Sequence, residues 1–451
     1  MKIVRSLSEQ ANYINNFSNR IANINNPIFY APLKNSLDVL IGKGPLIYQH
    51  PVSNTITYID RYGVLRKITT SDTPRFEKEG LLIEGNSTNL LYPSENLSDS
   101  NWIKTRVSIE TSATITLPDG TIGTNCGIRA NIDNSSHYVV QKVNTSKTQI
   151  TVSAFLRKGN KNYSFFRVYF NKYDGSSYTE IGYVFQWFDI ENGMTKNATL
   201  SNVTVDRTKI VKMANDWYRC EATISYTGTE TVAQVDFRIA PAENDANINI
   251  AGDGSTVNIY AWGAQLEEKP FATSYIPTNE SIVTRSNCLC YADYANAPNI
   301  LAGNAFSMAC DFDVLGNMIT TSQRFWGIYE DSTKLYYNTC YFRYDKLVYA
   351  RDNAFEHNNV YYLDIDFSTT HRILITVDEN ELCKMYLNGS LVSSKIQHLY
   401  NPVLNLPTYL KIGHTGGLGY YLYGHISNLR IYDFALNDEE IYMLSNNIED
   451  V

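Results

Sequence analysis

The sequence predicts an all-β protein made of two antiparallel β-sandwich domains of the jelly-roll type in tandem, preceded by a short N-terminal helix. Three observations carry this prediction. Short segments alternate apolar and polar residues at period two, with turn residues between them and no helical pattern. The chain has 451 residues, which is too long for one ordinary core. Its 34 tyrosines favour strands, because their flat rings fit a half-buried pleated surface.

Charge and cysteine usage exclude several classes of function. A formal net charge of −8 argues against a nucleic-acid partner, which needs clustered Lys and Arg. The seven cysteines form neither a disulfide framework nor a zinc spacing, so we expect reduced thiols and assembly in a bacterial cytoplasm. The N-terminus has no continuous apolar run of a secretion signal, and no apolar stretch is long enough for membrane insertion.

A heptad pattern in residues 1–27 predicts the N-terminal helix. Apolar residues recur every seven positions in two registers, the spacing of a coiled-coil seam. The many asparagines make a lone helix of this composition marginal in water, so partner helices would have to stabilise it. We therefore expect a homotrimer, with one amphipathic helix packed on its own domain as the alternative. The predicted oligomerisation residues are Leu7, Ile14, Phe17, Ile21 and Ile24.

Residues 28–91 are predicted to be an irregular, β-rich connector. Proline and glycine are spaced too closely there for long helices, and only short strands fit between them. One such pair, 55–60 and 64–69, flanks a turn at Arg61-Tyr62-Gly63. We expect this segment to lead into the first sandwich.

The two sandwiches are predicted at 92–285 and 303–451, with a turn-rich linker at 286–302. In the first, strongly alternating segments run from Gln149 to Gln265. In the second, Asn388-Gly389 lies between two strand-like segments and is the strongest short hairpin signal, since both residues tolerate positive φ. We expect the two sandwiches to fold independently.

Four motifs in one order connect the first sandwich to a known family. They are Gly80–Leu91 (GLLIEGNSTNLL), Asn215–Arg219 (NDWYR), Gly252–Ser255 (GDGS), and the closing segment WGAQLE followed by FATSYIPT within 262–278. Together they resemble a β-sandwich module of tail and fibre proteins of tailed bacteriophages. The resemblance covers roughly residues 74–285 and implies a carbohydrate-binding-like module in a virion protein.

The C-terminal segment resembles a second family. Gly424–Ile441 reads as a last strand, I-x-x-L-R-I-Y, followed by a short A-L-x-x-x-E-I helix. This pattern is similar to the end of laminin-G-like, concanavalin-A-type lectin domains. The resemblance implies the fold and leaves the ligand open.

Candidate ligand-binding residues are tyrosines at predicted loop tips. Tyr173 and Tyr178 flank the Asp174-Gly175 turn, while Tyr420 and Tyr421 follow a glycine-rich loop. At such tips a ring stays exposed, rather than buried in the core, and can stack on a sugar. The alternative is that these are ordinary tyrosines at strand ends with no ligand role.

No cofactor is expected, but calcium is possible. Lectin-type sandwiches place the ion among loop oxygens. Asp119, Asp174 and Asp253 each precede glycine in a predicted turn, and ordinary turn chemistry is the alternative.

We expect no catalytic residues and therefore no enzyme. A glycoside hydrolase on a concanavalin-like fold needs an acid and a nucleophile on one strand, and the nearest pattern, Asp364 and Asp366, lacks the glutamates. The function expected is a structural subunit of a tailed-phage virion appendage, a head or tail fibre, that attaches to host-surface glycan or protein and contacts other virion proteins. The alternatives are a polysaccharide depolymerase and a decoration protein without ligand.

Overall fold

The computed structural model describes residues 24–51, 55–293, 305–316, 323–330, 336–343, 346–351, 359–362, 369–396, 408–414 and 420–446. These residues form antiparallel sheets, with one α-helix near the C-terminus. The predicted all-β sandwich class is therefore confirmed. No helix in this part of the chain is long and apolar enough to cross a membrane.

The described strands follow one another in chain order, and the helix comes last. They are β1 Phe29–Ala31, β2 Ile47–Gln49, β3 Ile56–Ile59, β4 Leu65–Ile68, β5 Leu81–Ile83, β6 Ser87–Asn89, β7 Ile103–Thr105, β8 Val107–Glu110, β9 Ile115–Thr116, β10 Ile122–Gly123, β11 Gly127–Ala130, β12 Asn134–Ser135, β13 Tyr138–Asn144, β14 Gln149–Lys158, β15 Tyr163–Tyr173, β16 Tyr178–Asp189, β17 Met194–Thr195, β18 Thr199–Ser201, β19 Val203–Lys212, β20 Tyr218–Tyr226, β21 Gln234–Ala242, β22 Ile250–Ala251, β23 Ile259–Glu267, β24 Val283–Arg285, β25 Leu289–Ala292, β26 Phe306–Phe312, β27 Gln323–Glu330, β28 Tyr336–Arg343, β29 Lys346–Arg351, β30 Asn359–Tyr362, β31 His371–Val377, β32 Leu382–Leu387, β33 Ser390–Ile396, β34 Thr408–Ile412, β35 Gly424–Tyr432 and helix α1 Asp438–Ser445.

The chain divides into two compact units, and one is inserted into the other along the sequence. The interrupted unit consists of the described residues of 24–50, 72–85 and 288–446. The inserted unit consists of the described residues of 51–71 and 86–287. The chain therefore passes between the units four times, rather than once as a tandem arrangement would require.

The interrupted unit has two seven-stranded sheets. One has the order β1-β35-β26-β31-β32-β33, with β5 also paired to β35, and the other has the order β2-β25-β34-β27-β28-β29-β30. Their inner side chains form one core. Strands such as β26 are buried along their whole length, as expected when both faces of a strand are covered.

The predicted connector 28–91 and linker 286–302 are corrected by the strand pairing. Phe29 lies opposite Ile431, Tyr48 opposite Cys290, and Ile83 opposite Gly424. Strands β1, β2 and β5 therefore complete the interrupted unit, and β25 belongs to it as well. These strands are three or four residues long and pair with partners far along the chain, so sequence periodicity does not reveal them.

The two insertion points are closed by backbone hydrogen bonds. The amide of Asp72 donates to the carbonyl of His50 at 3.2 Å, and the amide of Cys288 donates to the carbonyl of Glu84 at 3.1 Å. Each pair of ends is thus adjacent within the interrupted unit. Insertions at such closed points cost little, because the closure entropy of a loop grows slowly with its length.

The inserted unit is a second sandwich. Its sheets have the orders β19-β20-β14-β23-β11-β8 and β17-β16-β15-β21-β13-β7, with β18 also paired to β16. The long strands agree closely with the alternating segments in the sequence. The unit also includes the hairpin β3–β4 and strand β6, which the predicted boundary 92–285 leaves out.

The family motifs of the inserted unit meet in a buried aromatic cluster. Trp217 comes from the NDWYR motif, Trp262 and Tyr275 come from the closing segment, and all three are at most 2% exposed. The rings of Trp262 and Tyr275 lie 5.3 Å apart, and Phe155 contacts both. Gly263 has φ of 61°, and a Cβ there would lie 2.7 Å from Phe155, so only glycine fits this position.

The same motifs also build a buried hydrogen-bond network. The carboxylate of Glu267 is fully buried and accepts from the Ser87 hydroxyl at 2.6 Å, from the Gln265 amide at 2.7 Å and from the Thr273 backbone at 3.0 Å. The Thr273 hydroxyl is a further donor to it. Asn89 donates to the carbonyls of Ala264 and Ile276, both at 3.0 Å. The buried residues of these motifs therefore stabilise the fold of the module.

Helix α1 and the start of the described chain share a small apolar cluster in the interrupted unit. Asn437 caps the helix by accepting from the amides of Glu439 and Glu440, while the Glu440 side chain accepts from the Asn437 amide. Ile24 is 1% exposed, packs in this cluster, and its carbonyl accepts from the Tyr432 hydroxyl at 2.9 Å. Ile24, predicted as a seam residue, thus packs in the core of the interrupted unit, while Leu7, Ile14, Phe17 and Ile21 lie outside the described residues.

We predict that Glu267→Ala unfolds the inserted unit at lower denaturant. The substitution leaves the Ser87 hydroxyl and the Thr273 amide without an acceptor, and each such loss costs about 1–3 kcal/mol. The Gln265 amide and the Thr273 hydroxyl keep only long contacts to the Ser274 carbonyl, at 3.5 and 3.4 Å. Urea titration of the full chain should show one transition shifted by at least about 2 kcal/mol. Glu268→Ala is the control, because the exposed Glu268 accepts only from Thr145 among the described contacts. Equal effects of the two substitutions would contradict the structural role.

Contrary to the sequence-based expectation that each sandwich folds independently, we predict that residues 300–451 do not fold alone. This fragment lacks Phe29, Leu46, Leu81 and Ile83 of the core, and each such side chain contributes about 1.5–3 kcal/mol when buried. The loss is comparable with the whole stability of a domain, about 5–15 kcal/mol.

A protein that joins 24–50, 72–85 and 288–451 through two short Gly-Ser bridges should instead melt cooperatively, because the ends already touch. Calorimetry of both proteins tests this pair of expectations. A cooperative transition in the 300–451 fragment would show that the added strands are dispensable.

Candidate ligand-binding surface

The outer face of one sheet of the inserted unit carries a strip of aromatic and charged side chains. Along β15, Phe166, Val168 and Phe170 point into the core, so the alternating residues between them lie on the opposite face. These are Arg167 and Tyr169, with further outer residues on either side. The neighbouring strands β16, β21 and β13 continue the face in register.

Two arginines lie at the centre of this face, surrounded by rings. The guanidinium of Arg167 is 4.6 Å from the ring of Phe185, 5.1 Å from that of Tyr169 and 5.5 Å from that of Tyr138. The guanidinium of Arg238 is 4.2 Å from Tyr169 and 4.7 Å from Tyr138. We call Tyr138, Arg167, Tyr169, Tyr183, Phe185 and Arg238 the arginine–aromatic patch.

Hydrogen bonds hold the patch in place. Arg167 donates to the Tyr169 hydroxyl at 2.9 Å and to the Ser136 hydroxyl at 3.0 Å. Arg238 donates to Asp236 at 3.1 Å. Burial raises the pKa of the Tyr169 hydroxyl despite the neighbouring arginine charges, so this hydroxyl stays protonated at neutral pH. The patch is therefore preorganised, with rings and donors at set positions.

One end of the outer face is more apolar. The rings of Phe165 and Trp187 lie 4.4 Å apart and are almost fully buried. Ala240 and Ala242 pack beside them. The indole N–H of Trp187 has no hydrogen-bond partner among the described residues. This end anchors the patch rather than exposing further rings.

The predicted residues Tyr173 and Tyr178 lie at the other end of the same face. They are directly opposite each other on β15 and β16, with ring centroids 5.0 Å apart, and they are 53% and 44% exposed. Since Tyr173 follows Arg167 by six strand residues, the strip is about 20 Å long. The Tyr178 hydroxyl lies 3.5 Å from Asn144 on β13 of this face. The structure thus joins two predicted residues to a patch that sequence reasoning missed.

A signal for the patch is present in the sequence of β15, YSFFRVYFNKY. An arginine in the middle of a long apolar strand, with aromatic residues two positions away on both sides, indicates a charged group on the outer face. The partner Arg238 also lies in the middle of an apolar strand, between Phe237 and Ile239 of β21. Their register, however, is set by strand pairing across about 70 residues and is not readable from the sequence.

Tyr420 and Tyr421 belong to the interrupted unit and so to a different part of the fold. The Tyr421 ring is stacked 6.5 Å from the His414 ring, and burial raises the pKa of its hydroxyl. Tyr420 lies 5.5 Å from the guanidinium of Arg324. Both tyrosines are half-buried against their own unit. The glycine-rich loop before them falls mostly outside the described residues.

The three predicted calcium aspartates are engaged within their own turns. Asp174 accepts from Ser176 and Ser177, and Asp253 accepts in the same way from the two residues at 255 and 256. These hydrogen bonds lower the pKa of both carboxyls. Asp119 caps its turn and lies 3.0 Å from the ammonium of Lys67. This is the turn chemistry that the sequence left as the alternative.

A group with ligand-type side chains occurs elsewhere, in the interrupted unit. Ligand atoms of Glu77, Glu79 and His425 lie within 4.8 Å of one another, a spacing that can hold a metal ion. His425 also contacts two carboxylates: Nδ1 is 2.7 Å from Asp313, and Nε2 is 3.1 Å from Glu77. Since carboxylates only accept, both nitrogens carry a proton in this arrangement, and His425 would have to lose the Nε2 proton before it could bind a metal ion. Burial by itself lowers the pKa of His425, but Asp313 and Glu77 raise it well above the usual value.

The inserted unit also contains a polar cavity of about 410 Å³. At its wall the Lys67 ammonium lies 3.2 Å from Glu95 and 5.1 Å from the centre of the Trp262 ring. Burial raises the pKa of the Glu95 carboxyl, although Lys67 acts in the opposite direction. The lining residues are Thr55, Lys67, Pro93, Glu95, Asn96, Pro277, Thr278, Asn279 and Val283.

Comparison with known proteins places the C-terminal region in a lectin-type class of fold. Residues 350–442 match the family model of the Concanavalin A-like lectin/glucanases superfamily. The predicted concanavalin-type fold at the C-terminus is thereby confirmed. No curated protein matches the chain.

Several solved structures resemble part of the chain at low identity. The binding domain of botulinum neurotoxin DC in complex with SialylT is 12% identical, with a TM-score of 0.28, over 36% of this chain and 40% of that one. The CBM40 of Ruminococcus gnavus IT-sialidase bound to alpha2,3 sialyllactose is 13% identical, with a TM-score of 0.27, over 32% of this chain and 83% of that one. A pentraxin of Limulus polyphemus is 14% identical, with a TM-score of 0.24, over 32% and 71%. At these TM-scores the likenesses carry no functional inference.

We predict that His425→Gln removes a pH dependence of stability. A raised folded-state pKa adds stability that is fully present below the ordinary histidine pKa of about 6.5 and is lost as the pH rises through the folded value. Melting of the full chain between about pH 6 and 10 should therefore show the interrupted unit weakening with pH. The His425→Gln and Asp313→Asn proteins should show a flatter profile. Parallel profiles in all three would contradict the charged state of His425.

Proposed function

We propose that this chain is a non-enzymatic subunit of a tailed-phage virion appendage, a head or tail fibre, that attaches to a host-surface glycan through its inserted unit. The phage-fibre resemblance of the inserted unit and the lectin-type match at 350–442 support this proposal. The observation that carries it is the strip from the arginine–aromatic patch to the exposed pair Tyr173 and Tyr178.

The strip combines the two kinds of contact that sugar binding needs. An exposed ring packs against the apolar face of a sugar ring, while fixed polar donors bind its hydroxyls. The pair Tyr173 and Tyr178 offers two accessible rings, and the patch offers guanidinium and hydroxyl donors about 20 Å away along the strand. A strip of this length fits an extended oligosaccharide better than a single sugar.

We predict that the double substitution Tyr173→Ala, Tyr178→Ala weakens glycan binding roughly tenfold or more, because two stacked rings contribute about 1–3 kcal/mol together. The measurements are binding to a glycan array and competition with virions for adsorption to host cells. Tyr62→Ala is the control, since Tyr62 is 78% exposed on a hairpin of the same unit and away from the strip. Unchanged binding of the double variant, with a preserved melting transition, would remove the tyrosine pair from the proposal.

The enzymatic alternative has its own test. A depolymerase would release reducing ends from a host capsule preparation, whereas a binding protein would leave the polymer intact. We expect no release during prolonged incubation with the full-length protein. Binding to no glycan at all would instead favour a decoration protein without ligand.

We further propose that residues 1–23 assemble the protein as a homotrimer. Because Ile24 belongs to the core of the interrupted unit, a truncation that tests this should end at residue 23. We expect the full chain to sediment as a trimer and the truncated chain to sediment as a monomer with both melting transitions retained. A monomeric full-length protein at micromolar concentration would refute the trimer.

A further inference from the structure

Two like charges face each other in the centre of the strip. Arg167 on β15 and Arg238 on β21 are direct cross-strand partners. The Cβ atoms of such partners are about 4.5–5.5 Å apart, and like charges at these positions destabilise a sheet. A fold that keeps this pair in register maintains a repulsion that an anion between the two guanidinium groups would relieve.

The carboxylates near the pair do not cancel its charge. Asp236 lies 3.1 Å from Arg238, but it also faces Lys142 at 3.9 Å. Arg167 makes no ion pair within the part of the chain that the structure describes, and its side-chain hydrogen bonds go to hydroxyl groups. Glu180 is the second carboxyl near the pair, and burial raises its pKa although Arg238 and Arg167 act in the opposite direction. Three cations thus face two carboxylates in a chain whose net charge is −8.

The surroundings prepare the two guanidinium groups for an oxyanion. Each is held over aromatic rings, which keep the planar groups in place and limit their contact with water. A guanidinium presents donors in a fork that matches the two oxygens of a carboxylate, so little ordering is needed on binding. The Nε atom of Arg238 is buried and has no partner among the described residues.

We infer that the arginine–aromatic patch binds an acidic sugar, whose carboxylate lies between the guanidinium groups of Arg167 and Arg238 while the rings of the patch contact the sugar. This inference rests on the proposed glycan attachment and names the class of sugar that the surface selects. The neutral part of the glycan extends along β15 toward Tyr173 and Tyr178.

The test uses the full-length protein and pairs of glycans that differ in one group. Acidic oligosaccharides are arrayed beside their carboxyl-reduced forms, in which each carboxylate is a neutral hydroxymethyl group, and beside oligosaccharides whose only charged group is a sulfate. We expect carboxyl reduction to weaken binding tenfold or more. Raising the salt concentration should weaken binding to the acidic form and leave binding to the reduced form nearly unchanged.

Variants assign the effect to the patch. Arg167→Gln should bind the acidic and reduced forms equally, with the affinity of the wild type for the reduced form. Arg167→Lys keeps the charge without the fork and should retain only part of the preference. Arg66→Gln, an arginine paired with Asp60 on the β3–β4 hairpin, is the control and should behave as wild type. Melting temperatures establish that each variant is folded.

The outcomes separate the inference from the proposed function. Equal binding of acidic and reduced glycans by the wild type overturns the inference and leaves glycan attachment standing. A preference for acidic glycans that survives in both Arg167→Gln and Arg238→Gln also overturns it. If the protein binds the sulfated glycans more tightly than the carboxylate-bearing ones, the patch selects a sulfate, and the inference of a carboxylate sugar is refuted. Binding to no glycan refutes the proposed function itself.

Discussion

Strand β35 is the element on which the interrupted unit depends, because it is paired on both edges. On one edge it pairs with β26, and on the other it pairs in succession with β5 and β1, which enter the fold from segments more than 300 residues earlier. The backbone groups of β35 are buried and would be costly without these partners. The turn before β5 brings Gly80 against the Ile426 carbonyl, where a Cβ would lie 2.5 Å from the oxygen. A side chain at this position would force the two segments apart.

This dependence explains how the inserted unit is accommodated. The hydrogen bonds at His50–Asp72 and Glu84–Cys288 close the interrupted unit at the points where the chain leaves and returns. The buried ion pair of Arg75 and Glu84, 2.6 Å long and without solvent exposure, lies in the returning segment. Removing one partner of such a pair leaves an uncompensated buried charge, which costs about 3–5 kcal/mol.

The inserted unit separates the residues that fix its fold from those that face solvent. The motif residues Asn89, Glu267 and Thr273 are fully buried. The Thr273 hydroxyl donates to Glu267, and Asn89 donates to the carbonyl of Ile276. The outer face carries the arginine–aromatic patch, whose cross-strand pair of Arg167 and Arg238 is unfavourable for the fold by itself. Side chains that destabilise the fold locally, as this arginine pair does, are expected where they serve to bind a ligand. The pair is the observation behind the proposed anionic ligand of this face.

The sequence by itself determined the all-β class, the long strands of the inserted unit and the exposed turn with Tyr173 and Tyr178, because period-two alternation and Asp-Gly turns are local signals. It did not determine that the segment 28–91 is shared between two units. Strands of three residues, such as β1 and β5, are too short to show a periodic pattern and are recognised only by their pairing with β35, far along the chain. The tertiary structure also decided that Ile24 is a core residue and that Arg167 and Arg238 meet. Strand register brings side chains together across large sequence separations, and no local pattern records which strands will be neighbours.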